Sequence, residues 1–138
     1  GEKFVPNIVE TSGGVDRTFL FLLLDAYEEE SDRIVLKLNS KIAPIKVAVL
    51  PLVKKEKIVK KAREIFKNIK NCYASFYDET GSIGRRYRRQ DEIGTPYCVT
   101  IDFETLEKET ITVRDRDTMA QERVKVGELA DYLYEKLA

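Results

Sequence analysis

Residues 77–97 read YDETGSIGRRYRRQDEIGTPY, and this stretch decides the fold. Gly81 and Ser82 lead in, with Ser82 placed to cap a helix, and Gly94-Thr95-Pro96 stops that helix before an apolar run. Arg85, Arg86, Arg88 and Arg89 put four guanidinium groups within five residues, followed at once by Asp91 and Glu92. Three- and four-residue spacing defines one helical face, which gathers Arg85, Arg88 and Arg89. Two readings fit that face. A rigid element with several arginine forks suits polyanion recognition, because guanidinium groups contact phosphates and stack on bases. A solvated helix whose arginines pair with Asp91, Glu92 and nearby carboxylates fits the same residues.

Working outward, strands are expected on both sides of this helix, at 73–77 and 97–103 (YCVTIDF). Upstream, residues 45–50 (IKVAVL) form a continuous apolar run of the kind buried on both sheet faces, closed by Pro51. A helix is expected from Lys54 or Lys55 to about Ile69, with Ile58, Ala62, Ile65 and Ile69 inward and the lysines facing water. Downstream, 110–114 is a fourth strand, joined to the third by a hairpin turn over 104–109. Residues 124–126 add a short strand, and 127–137 a last helix with Leu129, Leu133 and Leu137 inward. The order β-α-β-α-β-β-α predicts an α/β fold: a mixed, mostly parallel sheet flanked by helices, with an antiparallel edge.

The first forty residues read differently. Residues 2–9 (EKFVPNIV) are expected as a strand leading to Glu10, and 11–14 as a turn into a helix over about 15–30. That helix is apolar nearly all round, which suits a position inside a larger body. Residues 28–44 form a connection with a short extended piece at 34–38. Glu10 and Ser12 are expected in a crevice at the strand end, with Arg17 on the first turns of the helix. A carboxylate there suits a small ammonium group and an arginine suits a phosphate; a plain helix start capped by Ser12 fits as well. In TVRDRD (112–117), strand alternation turns Arg114 and Arg116 one way and Asp115 and Asp117 the other. Such arginines either stack on unpaired bases or form cross-strand ion pairs.

Composition limits the chemistry. With 138 residues and 43% hydrophobic content, one domain with a substantial core is expected. Lys+Arg and Asp+Glu are 24 each, so a nucleic-acid partner would have to be held by a local patch, not by the average field. The chain has no histidine, which excludes histidine bases and ligands, and no metal site is expected. Cys72 and Cys98 read as buried free thiols, in keeping with a cytoplasmic location. The longest apolar run, FLFLLL at 19–24, is too short to cross a bilayer, and no membrane partner is expected.

These motifs also carry a resemblance. Residues 10–19 (ETSGGVDRTF) are similar to motif 3 of the class II aminoacyl-tRNA synthetases in its glycyl form. Residues 45–138 resemble the anticodon-binding domain shared by the glycyl, threonyl, prolyl and histidyl enzymes. GSIGRRYRRQDEIGTPYCVT (81–100) and TVRDRDTMAQERV (112–124) together resemble the homodimeric glycyl-tRNA synthetases. The resemblance implies that 1–40 is the C-terminal piece of a catalytic domain with its connection, and 41–138 the anticodon-binding domain. It implies Arg17 as the catalytic, ATP-binding residue, and Glu10 and Ser12 as glycine-binding residues. Arg114, Arg116, Arg85, Arg86 and Arg88 would contact the anticodon of glycine tRNA. ATP and Mg²⁺ would serve the whole enzyme, with neither bound to this piece. Motifs 1 and 2 have no counterpart, so the chain is expected to be a C-terminal fragment, inactive alone, whose partners include the parent's catalytic domain and a second subunit. A catalytically inactive paralogue acting as an RNA- or protein-binding module is the alternative. A flavodoxin-like domain is disfavoured because no glycine-rich phosphate loop follows the first strand.

Overall fold

The computed structural model describes residues 1–137. Helix α1 (Val15–Ala26) leads into a small antiparallel hairpin of β1 (Tyr27–Glu29) and β2 (Ile34–Leu36). There follow β3 (Val47–Pro51), α2 (Glu56–Ile69), β4 (Ser75–Tyr77), α3 (Ile83–Ile93) and β5 (Tyr97–Ile101). Helix α4 (Phe103–Lys108), β6 (Thr110–Asp115), β7 (Gln121–Lys125), a 3₁₀ turn (Val126–Glu128) and α5 (Leu129–Leu137) complete the chain.

The five-stranded sheet has the order β4-β3-β5-β6-β7. β3 pairs in parallel with both β4 and β5, while β5–β6 and β6–β7 are antiparallel. This is the mixed sheet with an antiparallel edge that the apolar runs predict. Val47, Val49, Val99, Ile111 and Val113 point to one face, where Ile58, Ala62, Ile65 and Ile69 of α2 and Leu129 and Leu133 of α5 cover them. The other face carries Ala48, Leu50 and Cys98 under Ile83 and Tyr87 of α3. Burial on both faces explains why β3 and β5 are apolar at every position or nearly so.

α3 starts and stops as its sequence dictates. The Ser82 hydroxyl accepts from the Arg85 backbone N–H at 3.5 Å, and Gly94 closes the helix in the left-handed conformation (φ 81°). A Cβ on Gly94 would also meet Leu38 Cδ1 at 2.9 Å and the Leu36 carbonyl at 3.0 Å. The β1–β2 hairpin thus packs directly on the end of α3, with Leu38, Ala43 and Ala26 forming a small separate core.

Several expectations are corrected. Residues 2–9 form no strand, because no neighbouring strand accepts their hydrogen bonds, and they are exposed throughout. α1 ends at Ala26 and not near 30, since Tyr27–Glu29 is drawn into pairing with β2. Residues 104–109 are not a hairpin turn. Asp102 and Thr105 form a capping box that folds Phe103–Lys108 into a short helix. Cys72 is exposed, whereas Cys98 is buried as expected and burial pushes its thiol up to about 12. Among the described residues, no helix is long and apolar enough to cross a membrane.

Candidate nucleic-acid interface

The arginines of α3 divide by depth. Arg86 turns inward, where its guanidinium donates to the carbonyls of Pro51, Leu52 (3.3 Å) and Asp78 (3.3 Å), capping the carboxyl end of β3. Burial lowers its pKa from the ordinary guanidinium value. Arg89 donates to the Asp78 carboxylate and to the Thr80 carbonyl at 2.8 Å. Burial alone would raise the Asp78 carboxyl, but hydrogen bonds from Thr80 and Arg89 outweigh it and hold the group below its usual range. Arg88 donates to Asp32 of the hairpin at 2.7 Å. Arg85 is exposed and has no side-chain partner among the described residues.

Arg114 does not stand open on the sheet. It is 5% exposed and donates twice to Asp91, at 2.8 and 3.0 Å, while its guanidinium lies 4.9 Å from the Tyr87 ring centre. The Tyr87 hydroxyl in turn meets Thr100 Oγ1 at 2.6 Å. Arg116 lies beyond the end of β6, so strand alternation no longer governs it. It is buried, donating to the Gly94 carbonyl at 2.8 Å and to Asp117 at 2.8 and 3.1 Å. The expected opposition of Arg116 and Asp117 across the strand is therefore corrected: the two are partners. Asp115 accepts from the backbone N–H groups of Asp117 and Thr118, shaping the turn, and pairs with no arginine among the described residues.

One residue that sequence reasoning missed completes this network. Arg33, in the hairpin, is buried and donates to Asp91 at 3.1 Å and to the Arg116 carbonyl at 2.7 Å. It also donates to Glu30 at 2.6 and 3.0 Å, which pulls the Glu30 carboxyl down to about 2 and raises the guanidinium further, and to the Asp117 carbonyl at 3.5 Å. Asp91, fully buried, thus joins hairpin, helix and sheet. Asp91 was legible as a strut from its place beside the arginines. Arg33 was not, because its partner lies 58 residues away.

The N-terminal candidates are placed apart from this network. Glu10, Ser12 and Arg17 are all exposed, and no strand carries Glu10. The N-cap of α1 is Gly14, without a side-chain cap, so the reading of Ser12 as a cap is corrected. Ser12 to Arg17 line an open depression of about 610 Å³ that does not include Glu10. No group of three His, Cys, Asp or Glu side chains that could hold a metal ion occurs among the described residues.

The sequence pattern of the family described as Anticodon binding domain matches residues 46–136. A glycine–tRNA ligase of Clostridium acetobutylicum is 56% identical over 99% of this chain and 30% of its own length. Those of Borreliella burgdorferi and Chlorobaculum tepidum are 53% and 52% identical, over 96% and 99% of the chain. The chain spans about 30% of the length of the curated relatives it matches. With a mixed sheet from β3 to β7 and the matched pattern over the same residues, the chain belongs to the anticodon-binding domain family.

Proposed function

We propose that this chain is the C-terminal part of a cytoplasmic, homodimeric glycine–tRNA ligase and recognises the anticodon arm of glycine tRNA. The observation that carries this is the identity of about half the residues to glycine–tRNA ligases along nearly the whole chain. In the whole protein the glycine carboxylate would attack the α-phosphorus of ATP, giving glycyl-adenylate and releasing pyrophosphate, and the glycyl group would then pass to the tRNA 3′ end with release of AMP. Glu10 and Ser12 would receive the substrate glycine, and Arg17 would hold the ATP phosphates, of which the β and γ leave as pyrophosphate while the α stays in the adenylate. A single guanidinium at a helix start fits a phosphate. The same residues do not fit Mg²⁺, so its ligands, like the catalytic sheet, would come from elsewhere in the parent protein.

Burial and pairing support different roles for the five anticodon candidates. Arg85 and Arg88 retain open donors, and they touch the RNA. Arg114, Arg116 and Arg86 act as struts: to reach a base, Arg114 would have to give up a buried charge pair, Arg86 its carbonyl partners, and buried Arg116 its bonds to the Gly94 carbonyl and Asp117. The test is a titration of the chain against the glycine anticodon stem-loop and one with a changed middle base. The cognate loop should bind tighter, and Arg85→Ala with Arg88→Ala should cost on the order of 1–3 kcal/mol. Equal affinity for both loops would overturn the reading.

A further inference from the structure

α2 and its lead-in, residues 54–70 (KKEKIVKKAREIFKNIK), hold eight basic and two acidic residues, in a chain whose total charge is zero. The arginines of α3 and β6 are mostly neutralised by their carboxylates, and α2 is not. Lys54, Lys57, Lys60, Lys67 and Lys70 are exposed and pair with no carboxylate among the described residues; Lys61 and Arg63 do pair, with Glu64, Glu109 and Glu79. Lys60, Arg63, Lys67 and Lys70 follow each other at three- and four-residue steps, so they form one ridge of roughly 15 Å along the helix. The ridge lies opposite the stripe of Ile58, Ala62, Ile65 and Ile69 that binds the sheet.

Such a ridge opposes the helix that carries it. Like charges at these spacings destabilise a helix by roughly 0.2–0.5 kcal/mol per pair. Ordinary solvated helices relieve this with interleaved Glu, but Glu56 and Glu64 pair with none of the ridge lysines. The free ammonium groups of Lys60, Lys67 and Lys70, each a hydrated point charge, suit phosphates spaced along a backbone more than the edges of particular bases. α2 begins at the carboxyl end of β3, the edge at which Arg86, near the start of α3, holds the Pro51 and Leu52 carbonyls, so the two helices start at one edge of the sheet.

We propose that the outer ridge of α2 is a second nucleic-acid surface that holds the phosphate backbone of the RNA without reading its sequence. It rests on the assignment of RNA as the domain's ligand, and adds a surface on the sheet face opposite α3. Its contribution is affinity and salt dependence; discrimination between anticodons stays with α3.

The test is a titration of the chain, with and without Lys60→Gln, Lys67→Gln and Lys70→Gln together, against full-length glycine tRNA over a salt series. A triple variant with arginine at the same positions is the control. With three ammonium groups removed from the phosphates, the slope of log affinity against log salt should shrink by about 2, and low-salt affinity should fall by about ten-fold or more. The arginine variant should keep both, and the preference for the cognate anticodon should not change. If the glutamine variant keeps the slope and affinity of the unaltered chain, the ridge is solvated surface and the proposal is overturned. If the ridge matters but the chain shows no anticodon preference, the ridge stands and the anticodon reading falls. A chain that binds no RNA overturns both. Binding of polyglutamate through the ridge as tightly as tRNA would overturn it in favour of an acidic protein partner.

Discussion

Asp91 accepts three hydrogen bonds from Arg114 and Arg33 while fully buried. Asp91→Asn would keep the shape but remove the charge, leaving the Arg114 guanidinium without a counter-charge in a dry site while Arg33 keeps its pair with Glu30. Breaking a buried pair in this way costs about 3–5 kcal/mol. Arg85→Ala, on the surface, should stay within about 0.5 kcal/mol of the parent. Urea unfolding compares the two, and similar midpoints would dismiss Asp91 as the joint. Glu30 gives the network a pH dependence. Its hydrogen bond from Arg33 lowers its pKa from 4.5 to about 2. A depressed carboxyl contributes stability that is present above its unfolded pKa and lost as pH falls through the folded one. That contribution should therefore fade between pH 4.5 and about 2, and Glu30→Gln should flatten the acid limb of thermal melts in this window. An unchanged acid limb in the variant would detach Glu30 from the network. Legibility at this scale followed distance along the chain. Asp91 stands three residues from Arg88 and could be read as a strut, whereas Arg33 finds it through the fold alone.

The hairpin and α3 meet at Gly94, where two constraints coincide. The residue needs positive φ to close the helix, and any side chain would collide with Leu38 and the Leu36 carbonyl. Gly94→Ala should therefore destabilise by more than about 1 kcal/mol. It should also speed amide exchange in 27–38 more than in the central strands. Uniform exchange changes would show that the hairpin is not held at this point. Elements were legible wherever local pattern and tertiary packing agree. The apolar runs of β3 and β5 and the four-residue stripe of α2 announce burial, and the structure buries them. Residues 2–9 carry the same kind of local pattern, yet a strand needs a neighbour and none is present. α4 escaped because six residues give too little periodicity, although the Asp102–Thr105 box that caps it was there to be read.

For the molecule as a whole, the balance of 24 basic and 24 acidic residues conceals its layout. Arginines gather on one side of the sheet and most of them are consumed in pairs, while lysines crowd the opposite helix and, Lys61 apart, pair with no carboxylate among the described residues. The sequence makes the arginines conspicuous, because density is a local property; which of them are neutralised is set by partners from other elements. A second asymmetry is apolar. Phe19, Leu20, Phe21, Leu22 and Leu24 of α1 are all more than 40% exposed, and of the helix only Ala26 is buried. The sequence suggests a helix made for a larger body, and in this chain that surface is left open to water. A contiguous patch of this kind lowers its free energy by covering itself, and a second copy offers a matching surface. The chain should thus associate as concentration rises in sedimentation velocity runs, more so in high sulfate, which strengthens apolar burial. Phe19→Ser, Phe21→Ser and Leu24→Ser together should abolish the association. They should leave the urea midpoint nearly unchanged, because these side chains contribute little to the sheet's core. A chain that stays monomeric at all concentrations would mean that the apolar face of α1 is covered from within. A triple variant with a lowered midpoint would place that cover on the domain itself.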